Sequence, residues 1–497
     1  MSNHHRFSHL PKLLVVCAVL VAGRAALADV PDAVSYPNAW MNITPGANAS
    51  RVEFSWATKS SDLTAFTYGQ LDDILSTAPI TENLPVPQVQ IVKLLPGQDL
   101  ASVSFDGNPV ARTFQGVTLK SYVTQSGTTS AAGWYQNKVT VSGLERSSVY
   151  AYRVGYGTTW SGPYAFRTAD PRAFTLIAVG DPQIGANTGG IHEPPAQVGN
   201  VLPYDIATWK SSVTAMTGAI PDAAFVLSLG DQIDNTSSQA GADAQYDGYF
   251  SPLELLGIPV ATVDGNHDYG LGQYYGYHYN LPNQSLQYGA TQYGNDGDYW
   301  FRYGSALFLM LNSNTLSAST HDVFLHSAIA ANRDASWRIV CFHHALFSIA
   351  DHGFDTDILF RRTAYSAIFD KHHIDVVLAG HDHSFTRSFQ LEGGVPVSKE
   401  KMRTEKDGTV TVRDPEGTLY MTLNSGSGSK FYDLNSAYID PVTGVVTYPV
   451  FVANFWQGYL PSFSRVAIDD DSFSIVTYAL GGSTSPIDSY RIVKRGW

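Results

Sequence analysis

Between about residues 36 and 168 the chain alternates polar and apolar positions in short runs. Arg51-Val52-Glu53-Phe54-Ser55-Trp56, Asn137-Lys138-Val139-Thr140-Val141, Val149-Tyr150-Ala151-Tyr152-Arg153-Val154 and Tyr164-Ala165-Phe166-Arg167-Thr168 all follow this period of two. Each predicts a strand with one buried face, and Gly, Pro, Asn and Ser turns divide them. Several such strands with no helical period between them predict an all-β sandwich over residues 36–169. Asp170-Pro171-Arg172 is its natural linker to the C-terminal part of the chain. From residue 173 the pattern changes. Apolar runs at 174–180, 224–230, 259–263, 338–342 and 374–379 alternate with amphipathic stretches near 205–219, 244–256 and 359–372. This predicts a layered α/β domain over residues 173–480. Past residue 417 the helical spacing fades, and strands at 418–423, 450–455, 463–467 and 472–478 predict a second sheet.

Composition narrows the classes. Hydrophobic residues make up 44% of the 497, enough for a large core, so disorder is excluded as the general state. Charged residues are only 15% and aromatics 12%, a balance that suits an exported β-rich protein. The net charge of −13 repels polyanions and argues against nucleic acid as a partner. Residues 1–28 carry Arg6 and Lys12, an apolar run over 13–22, and Ala26-Leu27-Ala28 as a cleavage site, the signature of a signal peptide. The expected location is secreted or periplasmic, with no membrane span in the mature chain, because that run is too short to cross. Cleavage would remove Cys17, leaving Cys341 as the sole cysteine and no intramolecular disulfide. Against this low-charge background the 15 histidines stand out.

Five of the α/β strands end in polar clusters. They read Gly180-Asp181-Pro182-Gln183, Gly230-Asp231-Gln232-Ile233-Asp234, Gly265-Asn266-His267-Asp268, Phe342-His343-His344 and Gly380-His381-Asp382-His383. Ligand sites in open α/β sheets lie beyond the carboxyl ends of strands, so the five should meet at one edge. Gly before the polar residue gives the chain freedom to turn sharply. Carboxylate, imidazole and amide oxygen together suit divalent or trivalent ions. Two such ions about 3.5–4 Å apart can clamp a phosphoryl group and activate water. Taken one at a time these residues have plainer uses: Asp and Asn cap strand ends and make turns. One such cluster is weak evidence, whereas five in order, each after an apolar strand, are specific.

The ordered set resembles the calcineurin-like metallophosphoesterase superfamily, and within it purple acid phosphatase-like proteins with an N-terminal fibronectin type III-like domain. The likeness covers nearly the whole mature chain and includes Trp160-Ser161-Gly162-Pro163-Tyr164-Ala165-Phe166-Arg167-Thr168 at the end of the sandwich. It implies a four-layer αββα sandwich behind an all-β fibronectin type III-like sandwich, and a dinuclear centre of Fe, Mn or Zn. By this resemblance Asp181 and His383 would bind the first metal, Asp231 would bridge, and Asn266, His343 and His381 would bind the second. His267 and His352 would be the catalytic histidines beside the substrate phosphate. Three positions depart from the pattern. Asp234 stands where the purple subgroup has the Tyr that gives its colour with ferric iron, so no purple colour is expected. Gln183 stands where many relatives have a ligating His, and it and Asp234 are candidates to hold metal or to support its ligands. Gly353 replaces a frequent His after His352. His192, in a long loop, is a candidate substrate contact. The expected function is hydrolysis of phosphate monoesters, on a small molecule or a peptide, by a metal-bound hydroxide. The alternatives are a phosphodiesterase on the same centre and a non-catalytic metal-binding or adhesive surface protein.

Overall fold

The structure is a computed structural model that describes residues 38–59, 88–105, 119–123, 134–156, 159–186, 201–234, 238–268, 274–291, 296–397, 401–482 and 485–494. The expected signal peptide and His192 lie outside the described residues. In the N-terminal part Asn38–Pro45, Arg51–Lys59, Trp134–Ser142 and Leu119–Val123 pair in that order into one antiparallel sheet. Gln88–Lys93, Val149–Tyr156 and Thr159–Trp160 form a second, with Tyr164–Arg167 added on Val149–Tyr156. The period of two works as expected: Val52 and Phe54 face Val141 and Val139 across the strands, and all four point into one core with Tyr152, Val154 and Phe166 of the other sheet.

The α/β part is a four-layer αββα sandwich. Its first sheet runs Val260–Thr262, Val226–Ser228, Ala173–Val179, Ser462–Asp469, Ser472–Ala479, Asp488–Val493, Val410–Arg413 and Met402–Thr404. Residue 480, expected as the end of this domain, precedes Asp488–Val493, which pairs with both of its neighbours in the sheet. The second sheet runs Tyr299–Tyr303, Ala306–Met310, Trp337–Cys341, Val376–Ala379, Thr418–Thr422, Phe385–Glu392 and Val395–Pro396, with Val452–Trp456 also on Phe385–Glu392. Strands buried on both faces divide their side chains between two cores. Phe308, Met310, Ile339, Cys341, Val376, Leu378, Leu419 and Met421 pack in one with residues of the first sheet. Their neighbours Leu307, Leu309, Val340, Val377 and Tyr420 pack in the other with Phe324 and Leu325 of helix Ala318–Ala331 and Tyr365 and Phe369 of helix Thr356–Lys371. This double burial is why these segments read as continuous apolar runs.

Two expected elements changed shape for physical reasons. The helix expected over 244–256 ends as Gln239–Tyr249, and Pro252, which has no N–H to give, separates it from a 3-10 turn at Leu253–Leu256. The helix Val201–Ala219 begins earlier than expected, with Pro203 accommodated in its first turn. The two parts of the chain are joined by more than the linker. Tyr152 donates its hydroxyl to Leu256 O at 2.8 Å, Trp40 Nε1 donates to Asp247 Oδ1 at 2.8 Å, and Asn42 Nδ2 donates to His278 O at 2.7 Å. Leu256 itself belongs to the core of the sandwich.

Candidate metal centre

Strands of both sheets deliver the candidate residues to one edge. Ala173–Val179 leads into Asp181 and Gln183, Val226–Ser228 into Asp231 and Asp234, and Val260–Thr262 into Asn266 and His267. In the other sheet Trp337–Cys341 leads into His343, and Val376–Ala379 into His381 and His383. One oxygen each of Asp181 and Asp231 and one nitrogen of His383 lie within 4.8 Å of one another, all buried. His343 Nε2 is 3.3 Å from Asp231 Oδ2, 2.9 Å from Asn266 Oδ1 and 3.1 Å from His381 Nδ1. Asp231 is therefore within reach of both the pair Asp181 and His383 and the trio Asn266, His343 and His381. His267 and His352 stand at the rim. His267 Nδ1 lies 2.6 Å from Asp234 O, and His352 Nδ1 lies 2.7 Å from Asp355 Oδ2. The rings of His352 and His381 are 4.5 Å apart.

The donor set fits cations. His343 Nδ1 lies 2.9 Å from Leu229 O and His383 Nδ1 lies 2.8 Å from Lys430 O. A carbonyl can only accept, so each Nδ1 carries a proton and Nε2 is the atom turned toward the carboxylates; on His383, and on His343 once a cation displaces its second proton, this is the tautomer a metal ligand needs. Gln183 is fully buried; its amide nitrogen donates to Asp234 Oδ1 at 3.0 Å, while its Oε1 has no hydrogen-bond partner. A buried acceptor without a donor is costly, and a cation relieves it. The Asp181 carboxylate shows the same deficit of positive charge. Burial pushes Asp181 well above the usual carboxylate range; the charge of His343 opposes this, and the Asp231 carboxylate adds to it. Burial by itself would lower His343, but the Asp231 and Asp181 carboxylates reverse this and raise it to about 9. His383 is pulled down to about 3, first by burial and then by the charge of Lys430.

Backbone strain concentrates here. Asp181, Gln183, Asp231, His381 and His383 all have positive φ, at 37°, 39°, 48°, 74° and 40°. Each such residue costs about 1–3 kcal/mol and persists only where its surroundings hold it. Those surroundings are visible. Ser425 Oγ donates to Asp181 O at 2.9 Å, and Ser427 and Ser429 both donate to Pro182 O, at 2.5 and 3.1 Å. Asp268 accepts from the N–H groups of Gln232, Ile233 and Gly265, tying two of the loops together. The glycines act mainly by close approach. A Cβ on Gly265 would stand 2.0 Å from Asp231 Oδ1, and one on Gly380 would stand 2.6 Å from Asp181 Oδ2. Of the four glycines that precede candidate residues, Gly180, Gly230, Gly265 and Gly380, turning freedom is needed only at Gly230, where φ is 90°.

Residues 174–385 match the family model described as calcineurin-like phosphoesterase. The chain carries a calcineurin-like phosphoesterase domain. An uncharacterized protein of Mycobacterium tuberculosis, Rv2577, is 28% identical over 102 residues, which are 20% of this chain and 19% of that protein. The chain thus spans about a fifth of the length of this curated relative. Among solved structures, the purple acid phosphatase PPD1 of yellow lupin (Lupinus luteus) seeds superimposes with a TM-score of 0.64 at 15% identity, over 93% of this chain and 75% of that one. PhoD superimposes with a TM-score of 0.51 at 12% identity, over 93% of each chain. At these identities the likeness is one of fold.

Sequence reasoning passed over several residues around this phosphoesterase domain's site. Tyr432 meets the rings of His352 and His383 at 4.8 and 5.2 Å, nearly perpendicular to both. Lys430 holds His383 through its carbonyl. The signal for both was their place at the end of the Ser425-Gly426-Ser427-Gly428-Ser429 run, whose hydroxyls turn out to clamp the Asp181 loop. His344 lies behind His343, buried, with Nδ1 2.7 Å from Ser313 Oγ.

Proposed function

We propose that this chain is an exported metal-dependent phosphatase that hydrolyses phosphate monoesters. The observation that carries the reading is the buried meeting of Asp181, Asp231 and His383 beside Asn266, His343 and His381, at the carboxyl ends of strands from two sheets. Asp181, Asp231, His383 and Gln183 Oε1 would hold a first cation, and Asp231, Asn266, His343 and His381 a second, drawn from Fe, Mn or Zn. Such a pair would supply positive charge to the phosphoryl oxygens and lower the pKa of an attacking water. His267 has its Nδ1–H fixed by Asp234 O, so its Nε2 is the atom presented to the substrate. There it holds a phosphoryl oxygen or gives a proton to the leaving oxygen. His352, whose Nδ1 is fixed by Asp355, would present its Nε2 to the substrate from beside His381. The attacking group would be water rather than a side chain, so no phosphoenzyme is expected. With Asp234 engaged on Gln183 rather than a Tyr on iron, the ferric protein should show no tyrosinate colour.

The export reading is supported by the leader signature over residues 1–28, and no helix among the described residues is long and apolar enough to cross a membrane. The test is a paired assay. Protein loaded in turn with Fe, Mn and Zn is given p-nitrophenyl phosphate and bis-p-nitrophenyl phosphate, beside Asp231→Asn. Monoester turnover lost in Asp231→Asn is expected. A preference for the diester would replace the phosphatase by a phosphodiesterase, and equal rates in wild type and Asp231→Asn would leave a non-catalytic binding protein.

A further inference from the structure

Among the described residues, the arginines that follow the His343 and His383 loops are committed to the protein itself. Arg361 donates to Asp357 and to Ser313 O, Arg362 to Leu346 O and Gly353 O, and Arg387 to Asp488. Lys430 differs. Its ammonium stands 4.7 Å from the centre of the Tyr432 ring, and no described carboxylate pairs with it. The nearby carboxylates have other donors: Asp433 accepts from Tyr459 OH, Asp382 from Ser348 Oγ and His352 N, and Asp355 from His352. Tyr432 is the same ring that meets His352 and His383, so Lys430 Nζ lies at most about 10 Å from the His383 ring. Its main chain is pinned on both counts that matter. The Lys430 carbonyl holds His383 Nδ1, and the preceding serines are bonded to the Asp181 loop.

We propose that Lys430 and Tyr432 form a subsite that takes a second anionic group of the substrate, beyond the phosphoryl group at the metal centre. The inference rests on the phosphoester reading of that centre and narrows its substrate class to esters carrying another phosphate or a carboxylate. An ammonium seated on an aromatic face and left without a carboxylate is poised for an external anion. The ring also fixes its direction, because the cation gains from the π-face while its N–H groups still point outward. The spacing suits the purpose. With about 10 Å as the upper bound, Lys430 stands beside the proposed metal ligands without being one of them, where an anionic group joined to the phosphoryl group, as in a diphosphate or a phosphorylated amino acid, would meet it.

The experiment compares the metal-loaded wild type with Lys430→Met, which keeps the aliphatic stem over Tyr432, and with Lys430→Arg. Substrates are p-nitrophenyl phosphate, with one anionic group, adenosine 5′-diphosphate and O-phosphoserine; inhibitor binding is measured with pyrophosphate and with phosphate. In Lys430→Met the preference for pyrophosphate over phosphate should fall about tenfold, the scale of one charge-assisted contact, and Lys430→Arg should restore most of it. The KM ratio between p-nitrophenyl phosphate and the better of the two doubly anionic substrates should move likewise. A loss with adenosine 5′-diphosphate alone assigns the subsite to phosphate, and a loss with O-phosphoserine alone assigns it to carboxylate. An unchanged preference in binding and in KM ratio overturns the subsite. Should the protein turn over none of the esters yet bind pyrophosphate in a Lys430-dependent way, the hydrolase reading fails and the subsite stands.

Discussion

Gln183→Leu separates a ligand from a bystander. In the native protein the amide nitrogen is held 3.0 Å from Asp234 Oδ1, and planarity then turns Oε1 away from Asp234, where it is buried without a donor. Leucine keeps most of the volume and can neither donate nor accept. Partners that merely orient a metal ligand carry about 10–100-fold in affinity. Gln183→Leu removes a donor oxygen together with its orienting contact, so the first cation should bind about 100-fold more weakly, about 2.7 kcal/mol. The second cation, whose proposed donors are Asp231, Asn266, His343 and His381, should be affected far less. Calorimetric titration of metal-free protein with Mn(II) resolves the two events, and a thermal melt of the metal-free variant checks the fold. The metal-free melt should move little, because removing a buried acceptor that had no partner offsets the lost bond to Asp234. Gln183→Glu gives the opposite test: a carboxylate facing Asp234 should weaken the metal-free protein and tighten the first cation. Two binding events of wild-type strength in Gln183→Leu would falsify the ligand role.

Other consequences lie further from Gln183. Gly265→Ala would push a Cβ to 2.0 Å from Asp231 Oδ1, so the carboxylate proposed to bridge must move; bound metal, counted by elemental analysis, should drop below two per chain. His278 is packed between Trp40 and Tyr246, and burial, then the charge of Lys138, holds it down to about 3. Its folded pKa lies below its unfolded value, so the unfolded chain takes up the proton first, and stability is lost as pH falls from about 6.5 toward 3. About 2 kcal/mol should disappear between pH 6.5 and 4.5; urea midpoints should show His278→Phe losing that much less, and an equal slope in both proteins would contradict it. Arg387 is buried and gives Asp488 two bonds, at 2.7 and 3.1 Å. Arg387→Leu leaves that buried carboxylate with Asn454 Nδ2 at 2.8 Å and should cost about 3–5 kcal/mol in denaturant unfolding, much of it regained in Arg387→Leu/Asp488→Leu.

The layers were legible because their burial is extreme. Strands such as Trp337–Cys341 and Val376–Ala379 face a core on each side, so they appear as unbroken apolar runs ending at polar clusters. The N-terminal strands show the other readable pattern, one face in and one out. What escaped was the stretch between residues 264 and 337. Tyr299–Tyr303 and Ala306–Met310 form a hairpin and Ala318–Ala331 a helix, yet their sequences carry neither a clean period of two nor a strong amphipathic stripe. His321 buries itself there against Asp298 at 2.7 Å and Tyr365 OH at 3.1 Å, a polar core contact that no local motif announces. The residues Asp181, Asp231, Asn266, His343, His381 and His383 could be named from their order along the chain. Their geometry could not, because it depends on contacts between loops far apart in sequence.

The Ser-Gly run shows where that limit lies. Read alone, Ser425-Gly426-Ser427-Gly428-Ser429 is a flexible turn or at best a phosphate cradle. In the fold its three hydroxyls face the opposite way, onto the carbonyls of Asp181 and Pro182, while Gly426 N donates to Gly180 O at 2.6 Å. Asp181 and Gln183 can keep left-handed backbones only because these bonds outweigh the cost. The strain and its support therefore come from segments more than 240 residues apart in the sequence. The same segment then carries Lys430 and Tyr432 to the rim. One clamp thereby fixes the first metal position and the proposed anion subsite relative to each other, so a substrate with two anionic groups would meet a preset spacing. Loosening the clamp with Ser427→Ala and Ser429→Ala together should weaken both functions at once: Mn(II) at the first position, and the preference for pyrophosphate over phosphate. Weaker Mn(II) binding alone, with that preference intact once excess Mn(II) fills both positions, would mean that the two sites are held independently.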